Sequence, residues 1–341
     1  MSSYRSFYKL SLTTLVAVYL LILVGGIVRS TGAGMGCPDW PKCFGQWVPP
    51  TSLAELPENY KEINSQHRQE KNARFASYLS AFGFKDTAEK ILEDDSIKEE
   101  VDFNPVKTWI EYVNRIVGVI IGLLIFAVFV ASIKLRKKNP SLTIIAFITF
   151  VLVGVQGWIG SIVVSTNLLP WTITVHMFLA LVIVGLLIYL VYATRAEVED
   201  GIIISGIKPW LIGSIVVLLT QIILGTQVRE ALDRVAAQFS DRDGWISSLG
   251  VSFLIHRSFS WVVLMINAWV ILKLIKTDRT KGFGLALIVL VLGTILSGSG
   301  MAYFSVPALL QPIHLLLATV TFGILFLLVL QVSGKQKKDL V

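Results

Sequence analysis

The chain has 341 residues, of which 54% are hydrophobic and only 16% charged, and its mean hydropathy is +0.69. Soluble domains carry about 25% charged residues, so a water-soluble globular enzyme is excluded. The formal net charge of +7 points to membrane topology rather than to nucleic acid, because the excess Lys and Arg gather in short loops between apolar runs.

A transmembrane helix needs ~20 apolar residues. Eight stretches qualify, at roughly 10–28, 110–133, 141–165, 171–193, 208–228, 250–272, 283–304 and 306–331. The first is too long for a signal peptide and no small-residue cleavage site follows it, so it is expected to remain as a span. With the N-terminus inside, the inner segments carry a net +10 and the outer loops a net −5. The inner cations include Arg5, Lys9, Lys134, Arg136, Lys208, Lys273, Lys335, Lys337 and Lys338. That asymmetry places both termini in the cytoplasm.

The first outer loop, 30–109, is long and polar and contains both cysteines, Cys37 and Cys43. Outside a bacterial-type inner membrane the compartment is oxidising. The spacing allows a disulfide, whereas two cysteines alone do not make a zinc site. Residues 73–95 have the spacing of an amphipathic helix. REALDRVAAQF in loop 229–249 reads as a second short helix. Both would cap the outer face.

The chain repeats itself. GGIVRS (25–30) matches LGTQVRE (224–230), aligning Arg29 with Arg229. EYVNR (111–115) matches LIHRS (254–258), aligning Asn114-Arg115 with His256-Arg257. TVHMFLAL (174–181) matches PIHLLLAT (312–319), aligning His176 with His314. The expected architecture is an all-α integral membrane protein whose eight transmembrane helices form two parallel four-helix-bundle repeats. The halves are 1–200, with the long outer loop 30–109, and 201–341. Asn114, His176, His256 and His314 all sit roughly five to eight residues past the outer ends of their spans, ~10 Å deep at ~1.5 Å per residue.

Neutral imidazole is the usual nitrogen ligand of heme iron, and two of them make a six-coordinate electron-transfer site. Ionisable residues inside a membrane are expensive and mark function, so His256 and His314 read as one complete ligand pair. Asn114 with His176 reads as a half-filled pair. Asn114 either leaves an iron position open or serves as a structural hydrogen-bond partner. Arg115 and Arg257 each follow a ligand slot, and Arg29 and Arg229 end helices at the same rim. A guanidinium holds a carboxylate with two prongs, which suits heme propionates; snorkelling to the interface is the other reading of the rim pair. Glu111 is the one acid within the spans, a helical turn before Asn114. It suits proton transfer, an ion pair with Arg115 at i+4, or both. Gly154, Gly157 and Gly160 form a small-residue face suited first to close helix packing and second to a flat macrocycle. His67, in NSQHRQEKN, reads as a solvated surface histidine.

TGAGMGCPDWPKCFGQWVP (31–49), LGTQVRE, the His-Arg of the sixth span and the His of the eighth resemble heme A synthases, over nearly the whole chain. The resemblance implies a membrane oxidoreductase. It would convert heme O to heme A for cytochrome oxidase assembly, oxidising one ring methyl to formyl by two successive hydroxylations with loss of water. It implies a heme b in the C-terminal half on His256 and His314, with Arg229 and Arg257 beside it. It places the substrate heme in the N-terminal half on His176, with Asn114, Arg115 and Arg29 lining it and Glu111 required for turnover. It pairs Cys37 with Cys43. A heme O synthase, an electron acceptor and a second copy of the chain are the partners implied. The chain departs from the family's better-known pattern at Asn114, where a second histidine is expected; substrate iron is then held by His176 alone. A di-heme electron-transfer cytochrome would want two complete histidine pairs. A transporter would want charged or broken helices near the midplane. The sequence offers neither.

Overall fold

The fold is taken from a computed structural model, which describes residues 2–94, 102–195, 204, 206–239, 241–242 and 244–333. The boundary expected at 200/201, and Lys335, Lys337 and Lys338, lie outside the described residues. Among the described residues there are no strands, only one isolated bridge between Cys43 and Gln46. Eight helices are long and apolar enough to cross a membrane. They are α1 (Ser2–Ser30), α4 (Pro105–Ile133), α5 (Pro140–Ser165), α6 (Pro170–Thr194), α7 (Ile207–Gln238), α9 (Gly250–Leu274), α10 (Asp278–Tyr303) and α11 (Leu310–Ser333). The outer loops add α2 (Tyr60–Ala81), α3 (Lys85–Glu93) and α8 (Trp245–Ser248).

Proline sets several starts. Pro105, Pro140 and Pro170 occupy the first turns of α4, α5 and α6, where a missing N–H costs nothing. Asn104 caps α4 by accepting from Lys107 N at 3.0 Å. Two loop expectations are corrected. The amphipathic segment begins at Tyr60, not 73, and breaks at Phe82-Gly83-Phe84, where Gly83 takes a φ of +91° that costs glycine little. REALDRVAAQ is not a separate helix. It continues α7, because its residues favour helix and nothing in it interrupts the ladder.

The helices close into two rings. In the first, α1 packs on α4, α4 on α5, α5 on α6 and α6 on α1; in the second, α7, α9, α10 and α11 do the same. Contacts of α11 with α1 and α6, and of α6 with α7, join them. This is compatible with the repeat read in the sequence. At the seam α11 crosses α1 closely: a Cβ on Gly26 would lie 2.8 Å from Cβ of Pro312.

The tightest packing sits at one end. Phe7, Ile125, Leu135, Leu142, Leu187, Leu190, Ile207, Leu211, Leu274, Leu287, Leu325 and Leu328 are fully buried. Leu135 lies in the α4–α5 turn, and the others lie toward the ends of their helices remote from the three span histidines. Dense apolar packing there holds both rings rigid and leaves the opposite ends to polar side chains.

Candidate functional site

Asn114, His176, His256 and His314 stand nine, six, six and four residues into α4, α6, α9 and α11. Each histidine rests on a glycine of the preceding spanning helix. A Cβ built on Gly160 would lie 3.3 Å from His176 Cε1, one on Gly225 3.3 Å from His256 Cε1, and one on Gly298 3.1 Å from His314 Cε1. The notch lets each ring lie against helix backbone. Gly25 is the aligned glycine for Asn114, and above it there is nothing within 4 Å. Asn114 keeps its Oδ1 buried without a partner.

A second device accompanies two of the notches. One turn before Gly160, Gln156 donates from Nε2 to the carbonyl of His176 at 3.0 Å; one turn before Gly225, Gln221 does the same to His256 at 3.0 Å. Neither glutamine stood out as a candidate from sequence, although the Gln-x-x-x-Gly spacing in both spans was there to be read. In α10 the matching residue is Thr294, whose carbonyl lies 3.0 Å from His314 Nδ1, with Ser297 Oγ at 3.1 Å from the same nitrogen. The corners before His176 and His314 also match. Asn167-Leu168 and Ser305-Val306 are consecutive residues with positive φ, from +49° to +62°. Such pairs cost strain and persist where the surroundings fix them.

The rings of His256 and His314 lie edge-on to one another, with centroids 6.5 Å apart and planes at 62°. Iron–nitrogen bonds of ~2 Å on each side, plus the rings' own half-widths of ~1.2 Å, give about 6.5 Å. A carbonyl on His314 Nδ1 fixes the proton there and leaves Nε2 for a metal. Nδ1 of His256 is buried and unpartnered. The pair therefore fits an axially ligated iron porphyrin.

Glu111 is 3% exposed. Its Oε2 accepts from Cys37 N at 2.8 Å, and its Oε1 pairs with Arg115 Nη2 at 2.5 Å. Arg115 also donates to the carbonyls of Cys37 (2.7 Å), Asp39 (2.5 Å) and Lys42 (3.0 Å). Its two terminal nitrogens are thus turned onto the loop closed by the Cys37–Cys43 disulfide. Removing one partner of so enclosed a pair leaves a charge without compensation, which costs about 3–5 kcal/mol. Gly36 explains part of the TGAGMGC motif. Thr108 Oγ1 donates to Gly36 O at 2.8 Å, and a Cβ on Gly36 would meet Lys107 O at 2.5 Å. The loop is laid directly on the first turn of α4.

Arg29 and Arg229, one from each ring, both pair with Asp233 on α7. Arg229 also donates to Gln311 and to the carbonyl of Arg29. Asp233 was not expected from sequence; it lies one turn past Arg229 on a stretch assigned to a loop. Arg257 is exposed. His67 is exposed on α2, away from the histidine set. Of the third span's glycines, Gly160 packs closely, against His176, but Gly154 and Gly157 have no atoms within 4 Å, whereas in α10 Gly293 and Gly300 meet Leu317 and Leu310.

A family model described as cytochrome oxidase assembly protein matches residues 8–326. A heme A synthase of Shewanella oneidensis is 28% identical, over 75% of this chain and 69% of its own. Heme A synthases of Rickettsia africae and Rickettsia massiliae are each 26% identical, over 91% of this chain and 93% of theirs. With eight apolar helices, the chain is a multi-pass membrane protein, and it belongs to the cytochrome oxidase assembly protein family.

Proposed function

We propose that this chain is a heme A synthase, which oxidises a ring methyl of heme O to the formyl group of heme A in two successive hydroxylations. The observation that carries the reading is the contrast between two equivalent ligand slots. The rings of His256 and His314 lie at a spacing that suits one iron between them. Asn114 stands at the aligned position of α4, and a Cβ on Gly25, the aligned glycine, meets nothing within 4 Å. A fixed cofactor wants the first and an exchangeable substrate the second.

The C-terminal half, 201–341, would hold heme b on His256 and His314, with Arg257 available to its propionates and Arg229, held on Asp233, Gln311 and the carbonyl of Arg29, beside it. When bound, that group supplies one-electron transfer. The N-terminal half, 1–200, takes heme O. His176 binds the substrate on one face, and Asn114 leaves the opposite face without a protein ligand. Glu111 takes or returns the proton as the methyl is oxidised; its bonds to Arg115 and Cys37 N hold the carboxylate in place for that. The chain sits in the cell inner membrane with both termini cytoplasmic and both heme sites toward the periplasmic side. A heme O synthase supplies the substrate; each hydroxylation takes its oxygen from water and passes two electrons to an electron acceptor, and the geminal diol then loses water to leave the formyl group.

Pigment analysis of membranes tests the reading. Co-expression with a heme O supplier should yield heme A, and Glu111→Ala should abolish it. Membranes holding heme O and no heme A with the intact chain would overturn the assignment.

A further inference from the structure

The arginines assigned to carboxylates in the N-terminal half are engaged elsewhere: Arg115 with the disulfide loop and Arg29 with Asp233. A second cationic surface lies above them. α2 crosses the outer mouth of the first ring. At its start Tyr60 packs on Phe44, which in turn meets Phe103 just before α4. Further along, Phe75 sits between Trp158 of α5 and Trp171 of α6, and Asn72 Nδ2 donates to Ser165 O at 2.8 Å.

A helix lying on protein ordinarily turns an apolar stripe inward. The inward stripe of α2 is polar over three of its turns: Asn64, Arg68 and Asn72 are 6%, 3% and 5% exposed. Buried polar groups are costly without partners, yet Asn64 Nδ2 has none. Lys71 lies beside this stripe, part-buried, with Nζ 6.0 Å from the ring centroid of Trp40. Burial and, after it, the Arg115 charge push its ammonium down to about 8, with Asp39 opposing. Asp39 does not neutralise it by direct contact: its carboxylate oxygens accept from Phe44 N at 2.6 Å and Gly45 N at 2.9 Å. Among the described residues Lys71 forms no ion pair. A part-buried ammonium two helical turns from an unpartnered buried amide donor, on the side of α2 that lies over the first ring, suits a carboxylate.

We propose that the underside of α2, through Lys71 and Asn64, binds the carboxylate arms of the porphyrin substrate and closes the outer mouth over it. This rests on the assignment of the N-terminal half to that substrate. The test uses full-length chain with its C-terminal site already loaded. It is titrated with hemin and with hemin dimethyl ester, which lacks the free carboxylates, and affinities are read from the Soret difference spectrum. Lys71→Gln should weaken hemin about tenfold, the loss of one charge-assisted bond, and leave the ester unchanged. Lys71→Arg should restore hemin binding. Equal loss for hemin and ester, or loss for neither, overturns the role of α2. His176→Ala should abolish both titrations; if it changes neither, the assignment of the N-terminal half itself fails, and the α2 proposal with it.

Discussion

The two rings use one scaffold and differ at one slot. In the C-terminal ring, both histidines lie on glycine notches and their rings lie edge-on to one another. In the N-terminal ring, His176 lies on Gly160 in the same way, but the notch at Gly25 is bare and an amide stands where an imidazole would. The outer structures differ as well. The first turns of α4 are overlaid by a disulfide loop pinned by Glu111 and Arg115, and α2 packs on α5 and α6 beside it. Over the C-terminal ring an apolar cap forms instead, where Ala231, Leu232 and Val235 of α7 pack with Leu249, Val306 and Trp245, and Arg257 is exposed. A site that keeps its ligand needs two strong bonds. A site that exchanges its ligand trades one bond for an open face and puts its control into the loops above.

The largest effect should come from breaking the complete pair. His314→Ala or His256→Ala should remove the low-spin, six-coordinate heme spectrum of the purified protein almost entirely, because one imidazole alone cannot give that state. Retention of the low-spin bands in both variants would show that the two rings are not the ligands. Next is Glu111→Gln. General acid–base groups contribute ~10²–10⁴ in rate, so heme A formation should fall by that order while the C-terminal heme spectrum stays as it was. A parallel loss of that spectrum would mean that Glu111 serves only to hold the loop.

Asn114→His attacks the difference itself. The introduced ring should find the Gly25 notch open and complete the second pair. Hemin bound in the N-terminal half should then turn low-spin, and turnover should fall by about tenfold as the open face is lost. Unchanged high-spin binding would show that the two slots are not geometrically equivalent.

The spans were legible because lipid imposes a long apolar run, and the histidine slots because the repeat aligns them. What escaped has physical reasons. Hydropathy detects lipid, not helix, so α7 was cut at 228 although its backbone continues to Gln238. The start of α2 was missed because its buried stripe is Asn64, Arg68 and Asn72, which carries no apolar periodicity. Beyond Glu111, the partners of Arg115 are carbonyls more than seventy residues earlier in the chain, and backbone groups leave no mark in side-chain patterns. The third span's glycines show the opposite failure: a small-residue face is visible in sequence, but whether anything fills it is not.

The smallest expected effects come from single methyl groups. Gly225→Ala places a Cβ 3.3 Å from His256 Cε1, so the imidazole must yield by a few tenths of an ångström. Helix propensity favours alanine by ~0.5–1 kcal/mol, which offsets much of the crowding. The change should therefore show in the heme spectrum more than in the melting temperature. Gly25→Ala meets nothing within 4 Å; it should raise stability by the propensity gain and leave the C-terminal heme untouched. The two substitutions become informative together with Asn114→His. If the bare notch is the counterpart of the Gly225 notch, Gly25→Ala in the Asn114→His background should crowd the new ring as Gly225→Ala crowds His256, and the low-spin signal gained by Asn114→His should weaken. If the methyl is silent in that background too, the introduced histidine does not reach the notch, and the likeness of the two slots ends at the sequence alignment.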